Sequence, residues 1–381
     1  MTARVTSVEG FPLVYPLPNG GYGSVRGRVR ERTALVLRLN TSDGVAGWGE
    51  AFGPPQALLP LVQEVSEQVH GVEVDSVRPA LTRLLQHTYH RGGAGLHVAV
   101  AGAVDSAAWD ALGRLTSMSV GRLLGGRARD RVTPYASAGY VTERNDLGEL
   151  RVCAESAVSR GYLGMKIKVG FGVREDFRRT QTVRDVLGPE RALMVDFNGN
   201  CTADIAARIL DALDELDIAW AEEPVPPEDL DGLRRLAHRT RVPLAAGEAV
   251  YNRQGFRALL DTRCLDVAQP DIGKMGGLTE AHFVTGMARM HNVRVSPHCW
   301  AGAVTLAGTL QLIAATPDYP HPVVAPEPMW LEYDQGDNAL RDRLAGGPLP
   351  VKDGQVEIPD EPGLGISVDE DMLIHFSGLQ P

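Results

Sequence analysis

The stretch RALMVDFNGNCTADIAARILDALDELDIAWAEEP, residues 191–224, decides the fold. It begins with a short apolar run, RALMVDFN, that is typical of a buried strand. Residues 202–217 then carry apolar side chains at helical spacing, and Thr202 is placed to cap the start of that helix. The segment IAWAEEP returns to the strand pattern. Because two parallel strands need a long crossover, usually a helix, the stretch predicts a strand–helix–strand unit.

The same alternation of strand and helix patterns continues on both sides, from about residue 132 onward. Each apolar strand pattern ends in a residue that can ionise, and these residues recur every 23 to 28 positions: Lys168, Asp196, Glu222, Glu248, Asp271 and His298. The number of units favours a closed barrel over an open sheet. The carboxyl ends of the strands of such a barrel form one rim, so we expect these side chains to converge on one pocket.

The composition narrows the class of protein. The chain has 381 residues, 44% hydrophobic residues and a net charge of −10, which suits a globular enzyme and disfavours nucleic acid as a partner. No run of about 18 apolar residues predicts a membrane span, and the first residues lack a signal-peptide pattern. The four cysteines lie far apart and form no CxxC pair, which argues against a zinc site and a disulfide framework. We therefore expect a cytoplasmic enzyme.

Three carboxylates follow three successive strand patterns: Asp196, Glu222 and Glu248. Carboxylates that crowd together repel each other unless a cation lies between them. A ligand set made only of oxygen atoms points to a hard ion, Mg²⁺ or Mn²⁺. Any one of these residues alone could equally be a solvated loop residue or a helix cap. Glu223 should point away from the ion along an extended strand, in a structural role.

Two further groups predict acid–base chemistry. Asp271 and His298 follow adjacent strand patterns, and a carboxylate beside an imidazole fixes its tautomer and raises its basicity. Lys166 and Lys168, in GMKIKVGFG, should lie side by side on one face of a strand. A neighbouring cation lowers the pKa of a lysine, so Lys168 is a candidate base and Lys166 could neutralise a substrate oxygen. Taken alone, either pair could be ordinary surface or core residues.

These groups together predict one reaction type. A substrate carboxylate bound at Mg²⁺ would have an acidic α-proton, and a base would remove it to give an enediolate. Lys168 and His298 on opposite faces would permit two outcomes. Reprotonation from the other face gives racemisation, whereas loss of a β-leaving group gives dehydration or ring opening.

The residues with these predicted roles also carry a resemblance. The motifs KIK, DFN, EEP, GE, QPD and SPH resemble those of the enolase superfamily, mandelate racemase subgroup, over nearly the whole chain. The resemblance implies metal roles for Asp196, Glu222 and Glu248, base roles for Lys168 and the His298–Asp271 dyad, one Mg²⁺ per subunit, and a homo-oligomer, dimer or octamer. It also implies substrate contacts by Asn198 in DFN and by Glu332 in WLEYD, with Glu327 as the rival of Glu332.

The resemblance implies a domain plan as well. The expected fold is α/β, a modified TIM barrel (β/α)7β over residues 128–345, beneath an α+β capping domain over residues 1–127. The C-terminal segment, residues 346–381, should return to complete the capping domain. In such proteins, loops of the capping domain close over the barrel and contact the substrate.

The segment SVRGRVRERT supplies the candidates for that closure. If it is a strand, Arg26, Arg28, Arg30 and Arg32 share one face. One of them, foremost Arg26, could bind the distal carboxylate of a diacid, or the face could simply be solvated. Tyr22 lies just upstream in the same predicted lid, and Trp300 could pack on a sugar ring or in the core.

Four functions remain open at this point. The leading hypothesis is a Mg²⁺-dependent β-elimination, by a dehydratase or lactone cycloisomerase, on an acid sugar or aldarate lactone. The alternative is a racemase or epimerase of a 2-hydroxy acid that uses the same two bases. A Schiff-base aldolase that uses Lys166 or Lys168, and a metal-binding scaffold without catalysis, are two further classes.

Overall fold

The structure is a computed structural model, and it describes residues 3–87, 90, 93–318 and 328–378. Glu327, the alternative to Glu332 for the predicted substrate contact, lies outside the described residues. Within them, no helix is both long enough and apolar enough to cross a membrane.

The N-terminal region forms an α+β unit. Its strands are β1 (Val5–Pro16), β2 (Tyr22–Ser24), β3 (Gly27–Val29), β4 (Glu31–Thr41) and β5 (Ala46–Ala51). Its helices are α1 (Pro55–Val69), α2 (Val77–His87), α3 (Leu96–Thr116) and α4 (Val120–Leu123). Strands β1, β4 and β5 form an antiparallel sheet, and β2 and β3 form a separate hairpin. Helix α3 packs so closely on β5 that a Cβ atom at Gly49 would lie 1.9 Å from the Ala103 carbonyl oxygen.

Within the described residues, the barrel follows as eight strands and seven helices. The strands are β6 (Arg131–Ser137), β7 (Gly164–Lys168), β8 (Ala192–Asp196), β9 (Ile218–Glu222), β10 (Leu244–Ala246), β11 (Val267–Ala268), β12 (Arg294–Val295) and β13 (Trp330–Asp334). The helices are α5 (Leu147–Ser159), α6 (Val173–Leu187), α7 (Ala203–Leu213), α8 (Leu230–Ala237), α9 (Asn252–Leu260), α10 (Gly277–Met290) and α11 (Ala303–Ala315). This order confirms the predicted (β/α)7β arrangement.

The barrel strands are parallel and pair in the order β12-β11-β10-β9-β8-β7-β6-β13. No strand ladder joins β12 to β13 among the described residues. Side chains cross this gap instead, and Ser296 Oγ donates to the Trp330 carbonyl at 3.2 Å. Thr202 is the N-cap residue of α7, as predicted, although its hydroxyl contacts Asp204 Oδ1 at 2.6 Å rather than a backbone N–H.

Alternate residues of the barrel strands separate into two sets. Outward side chains such as Ile167, Val195 and Ala221 pack against the helices in the main core. A second buried cluster, which we call the apolar layer, contains the inward side chains Tyr135, Met194, Trp220, Ala245, Val267 and Trp330. Because the side chains of a strand repeat with a period of two, the next inward position lies two residues further along, and on five of these six strands it is polar or charged: Ser137, Asp196, Glu222, Gln269 and Glu332.

The C-terminal segment contacts both units. It contains β14 (Val356–Glu357) and α13 (Glu370–Ser377), and the short helix α12 (Ala339–Asp342) precedes it. Strand β14 pairs with the first barrel strand, while α13 packs on β1, where the rings of Tyr15 and Phe376 meet edge to face at 6.2 Å. The predicted domain bounds at residues 127 and 345 stay predictions.

One buried carboxylate joins the capping domain to the barrel. Glu50, in β5, accepts hydrogen bonds from the backbone N–H groups of Gly302 (2.6 Å) and Thr305 (2.9 Å). These N–H groups lie at the start of α11, which otherwise has no side-chain cap. A residue of one unit therefore caps a helix of the other.

Candidate active site

The barrel strands deliver the predicted residues to one rim. Lys168, Asp196 and Glu222 are the last residues of β7, β8 and β9. Glu248, Asp271 and His298 lie two or three residues beyond the ends of β10, β11 and β12. A cavity of about 350 Å³ opens at this rim, and its lining includes Lys168, Glu248, His298, Asn198, Glu332 and Trp300.

The three predicted metal ligands form a cluster. Asp196, Glu222 and Glu248 each offer a carboxylate oxygen, and these oxygens lie within 4.8 Å of one another. Asp196 and Glu222 are fully buried, so their charges need compensation. The donor set is entirely oxygen, which is the set that Mg²⁺ prefers. The residues therefore fit a hard divalent cation.

The two lysines are already paired with these carboxylates. Lys166 Nζ lies 2.5 Å from Glu222 Oε1 and 2.8 Å from Glu332 Oε1, and Lys168 Nζ lies 2.5 Å from Asp196 Oδ2. Burial alone would lower the pKa of Lys168, and Lys166 lowers it further, but the carboxylates of Asp196, Glu248 and Glu222 together outweigh both. The pKa of Lys168 is therefore raised. The surrounding side chains do not lower it, so the prediction of a lowered pKa is wrong.

The histidine and its partner form the predicted dyad. Asp271 Oδ2 lies 2.7 Å from His298 Nδ1, and Asp271 Oδ1 accepts from the backbone N–H of Gly273 at 2.8 Å. On the other side of the ring, His298 Nε2 lies 3.0 Å from Glu248 Oε2. Burial alone would lower the pKa of His298, but neighbouring carboxylates, above all that of Glu248, raise it to about 10. The imidazole is thus protonated while Glu248 faces it.

Glu332 lies between the lysine side and the histidine side of the pocket. Its Oε1 accepts from Lys166 and from Ser137 Oγ (2.7 Å), and its Oε2 accepts from the Cys299 N–H (3.0 Å). Oε2 also lies 3.8 Å from His298 Nε2. Burial alone would raise the pKa of Glu332, but Lys166 and His298 hold it well below its usual range. Glu332 is therefore ionised in this arrangement.

Not every predicted substrate contact reaches the cavity. Asn198 lines it, and its Oδ1 is buried without a hydrogen-bond partner. Trp300 lines it as well, but the guanidinium of Arg32 covers one face of its ring at 3.4 Å. Tyr22 is placed behind the cavity wall, because its ring packs on Tyr140 at 4.8 Å and its hydroxyl donates to the Asp337 carbonyl at 3.0 Å.

The four arginines do not share one face of a strand, so that prediction is wrong. A turn at residues 25–26 separates β2 from β3, and Arg32 belongs to β4. Arg32 is buried, 3.4 Å from Asp334 Oδ2, whereas Arg26 lines the cavity and donates to the backbone carbonyls of Asn198 and Gly199. Arg30 lines a neighbouring cavity instead. The arginine pattern could not reveal the turn, because Val25 and Arg26 are not turn formers.

The sequence reasoning missed two polar residues of the site. Lys274 lines the cavity, and its Nζ lies 3.6 Å from Asp271 Oδ2 and 3.8 Å from Glu248 Oε1. Gln269 Nε2 donates to Glu222 Oε2 at 2.5 Å. Both stand within three residues of Asp271, so the rule that placed Asp271 at the rim could also have found them.

Comparisons with known proteins agree with this geometry. Residues 149–372 match the family model described as enolase C-terminal domain-like, and residues 23–125 match the N-terminal domain of mandelate racemase/muconate lactonizing enzyme. The chain is 34% identical to D-galactarolactone cycloisomerase of Agrobacterium fabrum, over 99% of this chain and 100% of that protein. It is 30% identical to D-galactonate dehydratase of Variovorax paradoxus, over 91% of this chain and 92% of that one.

A solved structure gives the same result for the fold. The 3,6-anhydro-D-galactonate cycloisomerase of Zobellia galactanivorans superposes with a TM-score of 0.88 at 30% identity, covering 98% of this chain and 99% of that one. The two family models, these relatives and this structure all indicate the same family. The chain belongs to the mandelate racemase/muconate lactonizing enzyme family of the enolase superfamily.

Proposed function

We propose that the protein removes the α-proton of a sugar-acid carboxylate through an enediolate and then expels a β-oxygen, as a dehydratase or lactone cycloisomerase. One observation carries this proposal: two candidate bases, Lys168 and His298, line one cavity together with the carboxylate Glu248. They come from β7 and from the segment after β12, which four strands separate. The named activities of the relatives, on galactarolactone, galactonate and anhydrogalactonate, support a sugar-acid substrate.

The carboxylate cluster supports the proposed cofactor. Asp196, Glu222 and Glu248 would hold one Mg²⁺ per subunit. Bound there, the ion would acidify the α-proton and offset the negative charge that develops on the substrate. We further propose that the subunits assemble as a homo-oligomer, as the resemblance implies, and that the protein acts in the cytoplasm, as the sequence pattern predicts.

The protein's own groups supply the proton transfers. Lys168 would take or return a proton on one face of the substrate once Asp196 no longer neutralises its ammonium group. His298, oriented by Asp271, would act from the other face. Ionised Glu332 cannot donate a hydrogen bond to a substrate carboxylate, so we assign it the role of holding Lys166 and His298 in place. Lys166, which is 1% exposed, is the fixed positive charge beside the developing enediolate.

The same two bases support one alternative, a racemase or epimerase. If no β-leaving group is expelled, His298 can return a proton to the face opposite the one that Lys168 deprotonated. A Schiff-base aldolase fits less well, because both lysines are engaged as ammonium groups by buried carboxylates. A scaffold without catalysis fits less well too, since every residue with a predicted acid–base role is present at the rim.

Proton NMR in D₂O with Mg²⁺ would test the proposal. Aldonates, aldarates and their lactones would be supplied to the wild type, to Lys168→Ala and to His298→Asn. We expect one α-proton signal to disappear and a 2-keto-3-deoxy or ring-opened product to form. The variant that abolishes deuterium uptake identifies the base for that substrate.

Other results would redirect or reject the proposal. Exchange with inverted configuration and no eliminated product would establish the racemase alternative. No exchange with any sugar acid, in enzyme shown to bind the metal, would reject the substrate class. Borohydride trapping of a substrate carbonyl on either lysine, in the presence of EDTA, would establish the aldolase.

A further inference from the structure

The hairpin of β2 and β3 lies over the cavity, and three of its residues form hydrogen bonds to the barrel. Gly23, Ser24 and Val29 form part of the cavity lining. Gly23 and Val141 exchange two backbone hydrogen bonds, each 2.9 Å long. The hydroxyl of Tyr22 donates to the Asp337 carbonyl at 3.0 Å. The third such residue is Arg26, in the turn of the hairpin.

Arg26 reaches across the cavity edge to one short turn of the barrel. Its Nε donates to the Asn198 carbonyl, and its Nη2 donates to the Gly199 carbonyl at 2.8 Å. Asn198 and Gly199 both have left-handed backbone conformations, with φ values of 47° and 64°. A Cβ atom on Gly199 would come within 3.0 Å of Nη2, so glycine leaves room for the guanidinium. We call Arg26 and these two carbonyls the latch.

The turn beneath the latch also holds the proposed metal ligands. The Asn198 N–H donates to Asp196 Oδ1 at 2.8 Å. The Phe197 N–H donates to the Glu222 carbonyl at 3.0 Å, and the Gly199 N–H donates to the Glu223 carbonyl at 2.7 Å. The turn therefore contacts the hairpin on one side and the residues of two candidate ligands on the other.

We propose that Arg26 is a positioning residue whose latch links closure of the hairpin to divalent-metal binding. When Arg26 holds the two carbonyls, the turn keeps the Asn198 N–H on Asp196, and this fixes the orientation of one carboxylate of the cluster. Because linkage is reciprocal, metal binding stabilises the closed hairpin to the same degree. This inference rests on the proposed metal site, but it goes beyond the proposed reaction because it concerns only the protein and the metal.

The test uses the full-length protein without any substrate. Mn²⁺ affinity is measured by electron paramagnetic resonance, and hydrogen exchange of residues 22–30 is measured with and without Mn²⁺. The variants are Arg26→Ala, which removes the latch, and Arg26→Lys, which keeps the charge but cannot donate in a two-pronged fork. Arg28→Ala is the matched control, because Arg28 is exposed on the same hairpin and its guanidinium has no hydrogen bond or ion pair within the described residues.

The latch predicts a specific pattern. We expect Mn²⁺ affinity to fall about tenfold in Arg26→Ala, the lower end of the usual effect of a group that orients a metal ligand. The Mn²⁺ affinity of Arg26→Lys should lie between those of the wild type and Arg26→Ala. Hydrogen exchange of the hairpin should become faster in both variants and lose its dependence on Mn²⁺. Arg28→Ala should match the wild type in both measurements.

The opposite pattern would overturn the inference. If Arg26→Ala binds Mn²⁺ as the wild type does and its hairpin exchanges at the wild-type rate, the latch has no role in metal binding. A rise in KM confined to that variant would then return Arg26 to the substrate-binding role predicted from the sequence. Because no substrate enters either measurement, failure of the proposed reaction would leave this test intact.

Discussion

Two successive layers of inward side chains fill the barrel, and they differ completely in chemistry. The apolar layer contains residues such as Met194, Trp220 and Trp330. Two residues further along the same strands stand Asp196, Glu222 and Glu332, which with Lys166 form what we call the charged layer. One step of the strand period therefore separates a packed core from a candidate active site.

This difference shows how the barrel divides its tasks. The apolar layer gains stability from burial and close packing. The charged layer is equally buried, and it is tolerated because its carboxylates face lysines or a histidine at short range. We therefore expect substitutions in the charged layer to affect turnover and metal binding first, and substitutions in the apolar layer to affect folding first.

The largest effect should come from the charged layer. Glu222→Gln removes one carboxylate of the cluster, so one negative charge fewer balances the positive charge of Lys166. We expect turnover to fall about 10⁴-fold, or about 5 kcal/mol of barrier. Steady-state kinetics with saturating Mg²⁺ would measure this. Glu223→Gln is the matched control, because Glu223 lies outside the cluster, and an equal loss in the control would contradict the assignment of the layer.

The next effect should come from the apolar layer. Trp220 is fully buried, and its truncation in Trp220→Ala leaves a large cavity. We expect the free energy of unfolding to fall by about 4 kcal/mol, measured by urea denaturation. Trp220→Phe, which keeps most of the ring but removes the indole N–H 3.5 Å from Glu222 Oε2, should cost far less. If Trp220→Phe lost turnover as severely as Glu222→Gln, the two layers would not be separable.

A third experiment follows the protons of Glu222 in the charged layer and of two buried groups beside that layer, Glu223 and His298. Burial and neighbouring carboxylates raise the pKa of Glu222 to about 7 and that of Glu223 to about 8, while His298 is raised to about 10. A folded state that retains protons which the unfolded state has lost becomes less stable as pH rises. These three groups should therefore make the metal-free protein lose stability as the pH rises from about 4.5, the ordinary pKa of a glutamate, to about 10, the pKa of His298 in the folded protein.

Mg²⁺ should counteract this loss, because it binds ionised carboxylates. At a fixed concentration of about 100 times its Kd at pH 6, it should add about 2.7 kcal/mol to the free energy of unfolding at pH 6, and more at pH 9, where the carboxylates are ionised and Kd is lower. Urea denaturation across this pH range, with and without Mg²⁺, would show it. His298→Asn should flatten the metal-free profile above pH 7. A metal-free stability that rises with pH would contradict the pKa directions.

The smallest effect should come from a single hydrogen bond at the edge of the charged layer. Ser137 is buried, and Ser137→Ala removes one donor to Glu332, which keeps Lys166 and the Cys299 N–H. We expect a loss of about 1 kcal/mol in the free energy of unfolding. Thermal denaturation would resolve it. A loss as large as that of Trp220→Ala would mean that the charged layer depends on this one donor.

Much of the site could be predicted because ionisable residues recur where the barrel strands end. Short apolar strands alternate with helices at a nearly constant spacing, so the last residue of each strand must reach the same rim. This reasoning located Lys168, Asp196 and Glu222 at the ends of their strands and brought His298 to Asp271. The regular spacing of the strand patterns along the sequence was sufficient to place these residues, and no knowledge of the packing was needed.

The rest depends on contacts between segments that are distant in sequence. The raised pKa of Lys168 arises from carboxylates on neighbouring strands and loops, foremost Asp196, and the positions of Arg26 and Arg32 arise from barrel loops that contact the capping domain. A strand pattern shows which side chains share a face, but it does not show which groups on other segments will meet them. Hairpin turns built from ordinary residues, such as Val25, carry no signal at all.

The hydrogen bonds from α11 to Glu50 constrain how the protein can be recombined. The helix that follows the dyad histidine begins on a carboxylate from the other unit, so the two units are not independent parts. A chimaera that joins this barrel to the capping domain of a relative must supply an acceptor at the position of Glu50. Without one, the first turn of α11 keeps buried, unsatisfied N–H groups, and the loop that carries His298 loses a fixed end. Exchange of whole capping domains is therefore limited by this one residue before any question of substrate arises.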